Sequence, residues 1–386
     1  MERKRIGLAF SYSENWIAGT YYIFNMVHAM RLIPDEKKPH VVVITSSLEN
    51  FNLIQKETAY PYLEYFQFPF PAPKFSLIER AINKASRIVI KRNLIRKKPK
   101  QPNIEFLYPN EIEGIEVTSG KRVNWVPDFQ EKHLPHLFTE EGLKYRENFQ
   151  KEVVCEGDLV VLSSEDSLND FNRFYPHASL ETFVIPFAVT HPDFSDLHVN
   201  DLLKKYQLPT SYFLVPNQFW AHKNHKVVIE AVAQLVKNKR EITVAFSGKE
   251  NDYRNKDYVV ELKKLINELG IEKNIVFLGF IDRKDQLGLM DNALAIVQPS
   301  LFEGWSTVVE DAKAVNTFLI ASSIEVHKEQ VSKNVLFFDP HDVSELTNAM
   351  EQLISQSVVV SPHDYGRDQQ VFSDRISELI EKINQL

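Results

Sequence analysis

The chain is short of most features that would place it outside the soluble globular class. It has one cysteine, Cys155, in 386 residues, so no internal disulfide can form and a reducing compartment is expected. Cys155 itself reads as a small buried apolar residue beside a strand. No apolar run approaches the length of a bilayer span. After the basic opening MERKR only five apolar residues follow, too few for a signal-peptide core, so a cytoplasmic protein is expected. Positive charge is not in surplus: 45 Lys and Arg against 52 Asp and Glu leave a net charge near −7. That gives no overall attraction to nucleic acid, and any basic surface must be local. No repeat of solenoid length and no low-complexity tract occurs.

What is present is a sizeable apolar fraction, 44%, in a chain long enough for two domains. Buried-strand runs fall at 6–10, 41–45, 123–126, 159–163 and 183–187 in the first half. In the second half they fall at 212–216, 242–247, 275–280, 294–298, 317–321 and 335–338. Helical patterns separate them, at 21–32 and 140–152, then at 223–238, 253–269, 284–292, 308–315 and 343–354. Strand and helix alternating this regularly predict two Rossmann-like, doubly wound α/β domains facing a cleft. The loop-rich join near 190–209 divides them into 1–195 and 196–360. A last helix within 361–386 could pack back on the first domain.

Ligands of open α/β sheets bind beyond the carboxyl ends of the strands, so four loops of the second domain carry the argument. The first is SLFEGWSTVVEDA, residues 300–312. Thr307 and Glu310 have the spacing of a capping box, which by itself explains Glu310 but not Glu303. Gly304 lets a ligand approach the backbone, and the amides of Trp305, Ser306, Thr307 and Val308 form an anion site at a helix start. A phosphate there, flanked by two carboxylates for sugar hydroxyls, would use every part of the stretch. The second loop, PNQFWAHKNHK at 216–226, places His222, Lys223, His225 and Lys226 in a helix's first turns. The macrodipole disfavours cations there by a few tenths to about 1 kcal/mol each. A bound diphosphate turns that misfit into attraction; solvated surface residues are the alternative. His222 and His225 lack further ligands for a metal. The loops at 247–252, with Gly248, and at 279–282, with Phe280, could lie against a nucleotide base.

Together these loops resemble the retaining GT-B glycosyltransferases of family four, in order and spacing over about 212–340. A weaker resemblance in the first half covers Ile17 to Thr20 and WVPDFQEKHLP at 125–135. The resemblance implies a nucleoside-diphosphate sugar as donor substrate and no resident cofactor. It also implies a saccharide or lipid-linked saccharide acceptor, in cell-surface polysaccharide or glycan synthesis. It assigns Lys223 to the diphosphate, Glu310 to the ribose, and Glu303 to a place beside the transferred sugar. Gly304, Trp305, Ser306 and Thr307 would contribute amides, Gly19 a loop facing the diphosphate, and Phe280 backbone near the base. His133 contacts donor or acceptor, or else serves as a cap or packing group. Two departures from the family pattern stand out. Six residues separate Glu303 from Glu310 where many relatives have seven, which reads as a one-residue deletion. Gln218 stands where many relatives carry arginine, and His222 or His225 could compensate. No Asp-X-Asp triplet, the metal holder of the other large glycosyltransferase class, occurs anywhere, so stabilisation by Lys223 and helix-start amides is implied, with no metal. A GT-B-type sugar-nucleotide epimerase and a non-catalytic nucleotide-sugar binder are the alternatives.

One more segment is unusual. Residues 74–100 hold ten Lys and Arg and one acid, Glu79. Leu77, Ile78, Ala81, Ile82, Ala85, Ile88 and Val89 recur at helical spacing, with Arg80, Lys84, Arg87 and Lys91 on another flank. This predicts a basic amphipathic helix for an anionic membrane, at the inner membrane surface, or a surface helix whose apolar stripe faces the domain core.

Overall fold

The structure is a computed structural model that describes residues 3–13, 17–250, 252, 254–356 and 358–386. Two compact units form. One comprises Met1–Trp125, Gly157–Leu159 and Ile376–Leu386, the other Val126–Glu156 and Val160–Arg375. The units do not follow the expected division at residue 195. Much of the segment 126–195 belongs with the second unit, where it is tied by named contacts. The Trp305 indole Nε1 donates to the Phe187 carbonyl at 2.9 Å, and Glu329 accepts from the Glu165 amide at 2.9 Å.

The first unit is built on four parallel strands, β1 (Arg5–Ala9), β2 (His40–Thr45), β3 (Leu63–Gln67) and β4 (Leu107–Tyr108), in the order β3-β2-β1-β4. Val41, Val42, Val43 and Ile44 are all fully buried. A continuous apolar run is what a parallel strand covered on both faces requires. Helix Ile17–Met30 buries Tyr22, whose ring stacks on Trp125 at 4.0 Å and whose hydroxyl lies 2.6 Å from that of Tyr108. Strands β3 and β4 and helix Leu48–Thr58 lie outside the runs read from sequence. β3 is half-buried, LEYFQ, and β4 only two residues long, so neither shows a full apolar run.

Strands β5 (Val123–Val126), β6 (Leu159–Leu162) and β7 (Glu181–Val184) follow in the chain and form a small sheet in that order. Helix Glu140–Glu156 carries Cys155 exposed near its end, not buried beside a strand as its type suggested.

The second unit holds the main sheet: β8 (Phe213–Val215), β9 (Val244–Ser247), β10 (Ile275–Gly279), β11 (Ala295–Gln298), β12 (Leu319–Ser322) and β13 (Val335–Phe338). All are parallel, in the order β10-β9-β8-β11-β12-β13. Alternate residues face opposite sides. Phe213, Val215, Val244, Phe246, Ala295, Val297 and Ile320 enter one core, and Leu214, Ala245, Ile296, Leu319 and Ala321 the other. Two cores sandwiching one sheet are the doubly wound arrangement that the alternation predicts. The chain winds outward from β8 through β10, then returns to place β11 against β8 on the other side. β8 and β11 therefore flank the topological switch point, where loops part and leave a crevice.

Candidate functional site

The loops after β8 and β11 bring the two groups singled out as central into contact. After β8 the backbone runs through a single 3₁₀ turn, Ala221–Lys223, then Asn224 in the left-handed conformation, φ +55°, before helix His225–Lys237 begins. Asparagine tolerates that region better than most residues. Its Nδ2 donates to the Pro340 carbonyl at 2.8 Å and the Pro299 carbonyl at 3.1 Å, which fixes the turn. Lys223 therefore precedes the helix instead of sitting in its first turn. Its Nζ lies 2.6 Å from Glu303 Oε1, with both side chains mostly shielded from solvent.

Glu303 Oε1 collects two further donors, Ser300 Oγ at 2.6 Å and Gln298 Nε2 at 2.8 Å. Gln298 is the last residue of β11, and its Oε1 accepts from Asn217 Nδ2 of the β8 loop at 2.8 Å. The carboxylate is thus oriented by residues from both strands of the switch point. All three donors converge on one oxygen. Among the described residues none donates to Oε2, which leaves that oxygen to accept from a ligand hydroxyl.

The helix that follows is Thr307–Ala314, and its N-cap is Ser306, one residue before the Thr307 expected from the capping-box spacing. Ser306 Oγ accepts from the Val309 amide at 3.4 Å and from Gln298 Nε2 at 3.1 Å. Its own amide is not open to an anion, because it donates to Gln330 Oε1 at 2.9 Å. Gln330 Nε2 donates back to the Ser306 carbonyl and on to Glu310 Oε1, both at 3.1 Å.

Glu310 is buried. Lys313 Nζ reaches both its oxygens, at 3.0 and 3.2 Å, and the Tyr365 hydroxyl donates to Oε2 at 2.6 Å. Burial raises its pKa, against the pull of Lys313, Tyr365 and Gln330. A ribose hydroxyl would have to displace one of these donors. The neighbouring Asp311 was not singled out in the sequence, and it is as deeply buried. It accepts from Arg283 at 2.8 Å and from His191 Nε2 at 2.9 Å. Burial pushes its pKa up, but Arg283 and His191 prevail and hold it below the usual carboxylate value. Seven residues lie between Glu303 and Asp311. The spacing common in the family is met by Asp311, and no deletion need be invoked; counting that spacing would have found it.

The glycines serve chain packing. A Cβ on Gly304 would fall 2.2 Å from the Pro127 carbonyl oxygen and 2.8 Å from Asp128 Cβ, so that face is filled by protein and is not open to a ligand. A Cβ on Gly248, φ +149°, would fall 2.2 Å from the Asn217 carbonyl oxygen. Gly19 lies in the first turn of helix Ile17–Met30, where a loop was expected.

The histidines do not supply charge. His225 stacks on Phe219 at 4.5 Å, within the core, and burial lowers its pKa to about 3. His222 is buried too, and its pKa lies well below the usual value through burial, then Lys223 and Arg254. Burial therefore disfavours positive charge on either ring, the charge by which they were expected to compensate for Gln218. Gln218 is itself half-buried in the loop. Beside His222 lies Arg254, which pairs with Asp252 at 3.3 Å, donates to Gln130 Oε1 at 3.2 Å and lies 3.4 Å from His222 Nδ1. Its position in an irregular loop gave no signal in the sequence. His133 Nε2 pairs with Asp170 at 2.6 Å, which raises its pKa, and its ring lies 5.0 Å from that of Phe302, next to Glu303. Trp305 is anchored through its indole to Phe187, and Phe280, just beyond β10, is exposed. Among the described residues no three His, Cys, Asp or Glu side chains converge as a metal-ligand set.

Comparison with known proteins bears on the fold and on the second half of the chain. Residues 204–370 match the family described as Glycosyl transferases group 1. The O-antigen chain mannosyltransferase RfbU of Salmonella typhimurium is 25% identical over 160 residues, 42% of this chain and 43% of RfbU. The chain thus spans less than half the length of that relative. Among solved structures, a glycosyltransferase from Rickettsia africae superposes with a TM-score of 0.67 at 14% identity. The match covers 100% of this chain and 99% of that one. Anabaena Alr3699/HepE, solved in complex with UDP and glucose, gives a TM-score of 0.64 at 18% identity, covering 100% of both chains. The fold is GT-B, two Rossmann-like domains, and residues 204–370 are similar to the group 1 glycosyl transferases.

Proposed function

We propose that the chain transfers a hexose from a nucleoside-diphosphate sugar to a saccharide or lipid-linked saccharide acceptor, in the assembly of a cell-surface polysaccharide. The observation that carries this reading is the Lys223–Glu303 pair at the β8/β11 switch point, 2.6 Å apart and oriented by Gln298, Ser300 and Asn217. A lysine there offers a point charge to the departing diphosphate. Glu303 Oε2 offers an acceptor to the hydroxyls of the transferred sugar. Binding in this scheme exchanges one partner for another: the diphosphate takes Lys223 from Glu303, and the freed carboxylate turns to the sugar.

Retention of anomeric configuration and independence of a divalent ion belong to the same proposal, with Lys223 supplying charge that a metal would otherwise provide. The O-antigen mannosyltransferase relative and the UDP complex of the structural neighbour favour a nucleotide-sugar donor. Glu310 takes a supporting part in this scheme, holding the Ser306 turn through Gln330. The nucleotide base lies along the backbone near Phe280, and His133 lines the sugar end beside Phe302.

Incubation with a panel of uridine, guanosine and thymidine diphosphate sugars tests the reading. A transferase releases free nucleoside diphosphate slowly without acceptor and faster with one. A new sugar nucleotide would establish an epimerase instead, and binding without any product would leave only a carrier of nucleotide sugars.

A further inference from the structure

Helix Leu77–Ile90 is turned inside out relative to an ordinary surface helix. Its buried side chains are the polar Asn83 and Ser86. Leu77, Ile78, Ile88 and Val89 are each about three-quarters or more exposed, and Ile82 and Ile90 are exposed as well. At 100° per residue, Leu77, Ile88, Ala81, Ala85, Ile78, Val89 and Ile82 form one unbroken arc. The polar face is occupied by the chain's own return. Asn83 Nδ2 donates to the Ile95 carbonyl at 3.0 Å and its Oδ1 accepts from the Ile95 amide at 2.8 Å. Ser86 Oγ donates to the Arg92 carbonyl at 2.9 Å and accepts from the Leu94 amide at 3.1 Å. The apolar stripe therefore faces away from the protein, and its packing into the domain core is ruled out.

The charge beside this arc has one sign. Arg80, Lys84 and Arg87 flank it on the helix, and Lys91, Arg92, Arg96, Lys97, Lys98 and Lys100 follow in the return segment. The one acid, Glu79, is engaged in a capping box with Ser76 and in an ion pair with Lys97 at 2.8 Å. Two copies of such a face would repel each other, which disfavours a symmetric self-contact. A folded helix with an outward apolar arc and a basic border is the form that lies in an anionic lipid interface.

We propose that the 74–100 segment is a preformed docking surface for an anionic lipid bilayer. Leu77, Ile78, Ile88 and Val89 enter the acyl boundary, and the flanking Lys and Arg meet lipid phosphates. The Asn83 and Ser86 clamps hold the helix folded before contact, so insertion needs no coupled folding. This deepens the proposed function by placing the enzyme where a lipid-linked acceptor resides, but it is measured without turnover, so either reading can fail alone.

Flotation of the full chain with vesicles of phosphatidylcholine containing about a third phosphatidylglycerol tests it, with pure phosphatidylcholine as control. The chain is expected to float with the anionic vesicles and to lose affinity as salt rises. Ile78→Asp with Val89→Asp is expected to weaken binding at least about tenfold, and each of Arg80→Glu and Lys84→Glu about fivefold or more. A tryptophan at Ile88→Trp should shift its emission to the blue only with anionic vesicles. All five substituted positions are exposed, and unchanged melting temperatures verify the fold. Absence of flotation, binding unaffected by the Asp pair, or self-association in vesicle-free solution abolished by that pair would each overturn the proposal.

Discussion

Lys223 and Glu303 neutralise each other in the unliganded site, so the two side chains are expected to respond differently to removal. Glu303→Gln keeps an isosteric partner for Ser300 and releases Lys223. Nucleotide-sugar binding should survive, while turnover falls by about a hundredfold or more, the loss typical when one preorganised polar contact to the reacting group is removed. Equal loss of binding and turnover, read by calorimetry beside single-turnover kinetics, would show that Glu303 merely holds the loop.

The adjacent carboxylates Glu310 and Asp311 differ in sign. Glu310 has its pKa raised above 4.5 by burial, so its contribution to stability is fully present below that pH. It is lost as pH rises through the folded value. Glu310→Gln removes this decline and is expected to leave stability near neutral pH unchanged or higher. Asp311 is held below 3.8 in the fold and contributes stability at neutral pH that is lost on acidification. Asp311→Asn strands Arg283 and His191 and should destabilise by about 3–5 kcal/mol, in denaturant melts at pH 7.

At the scale of elements, the β8 and β11 strands and the helices that follow them were legible because each is a compact apolar run bounded by turn residues. The finer register was not. Thr307 and Glu310 satisfy the capping-box spacing, yet Ser306 caps the helix, because Gln330 from a distant segment holds its amide and carbonyl. Sequence spacing cannot register a partner 24 residues away. In the same way, Asn224 in the left-handed region splits the predicted 223–238 helix into a 3₁₀ turn and a shorter helix. Gly304 shows the difference most clearly: its bare Cα was read as access for a ligand, but the Pro127 carbonyl fills the space. Gly304→Ala is accordingly expected to destabilise by about 1–3 kcal/mol or more, as overpacking does, and to lower the melting temperature without nucleotide present. An unperturbed melt with weakened nucleotide binding would restore the ligand-access reading.

Across the whole molecule, the alternation of strand and helix carried the fold class, and the compact units did not follow the linear division of the chain. Most of segment 126–195 joins the second unit through tertiary contacts such as Trp305 to Phe187, and Glu329 to the start of helix Glu165–Phe174. Those contacts depend on distant residues and leave no local signature. Charge distribution was legible at this scale: ten Lys and Arg within 74–100 stand out on a chain of net charge near −7. Which way the helix turns its apolar side was not, because periodicity defines a stripe without saying what it faces.

The most direct test of the switch-point site is the thermal shift given by uridine, guanosine and thymidine diphosphates to the native chain and to Lys223→Ala. The proposed site predicts a clear shift with at least one nucleotide and loss of most of it in the variant. A shift of equal size in both proteins would contradict the assignment of the diphosphate to Lys223.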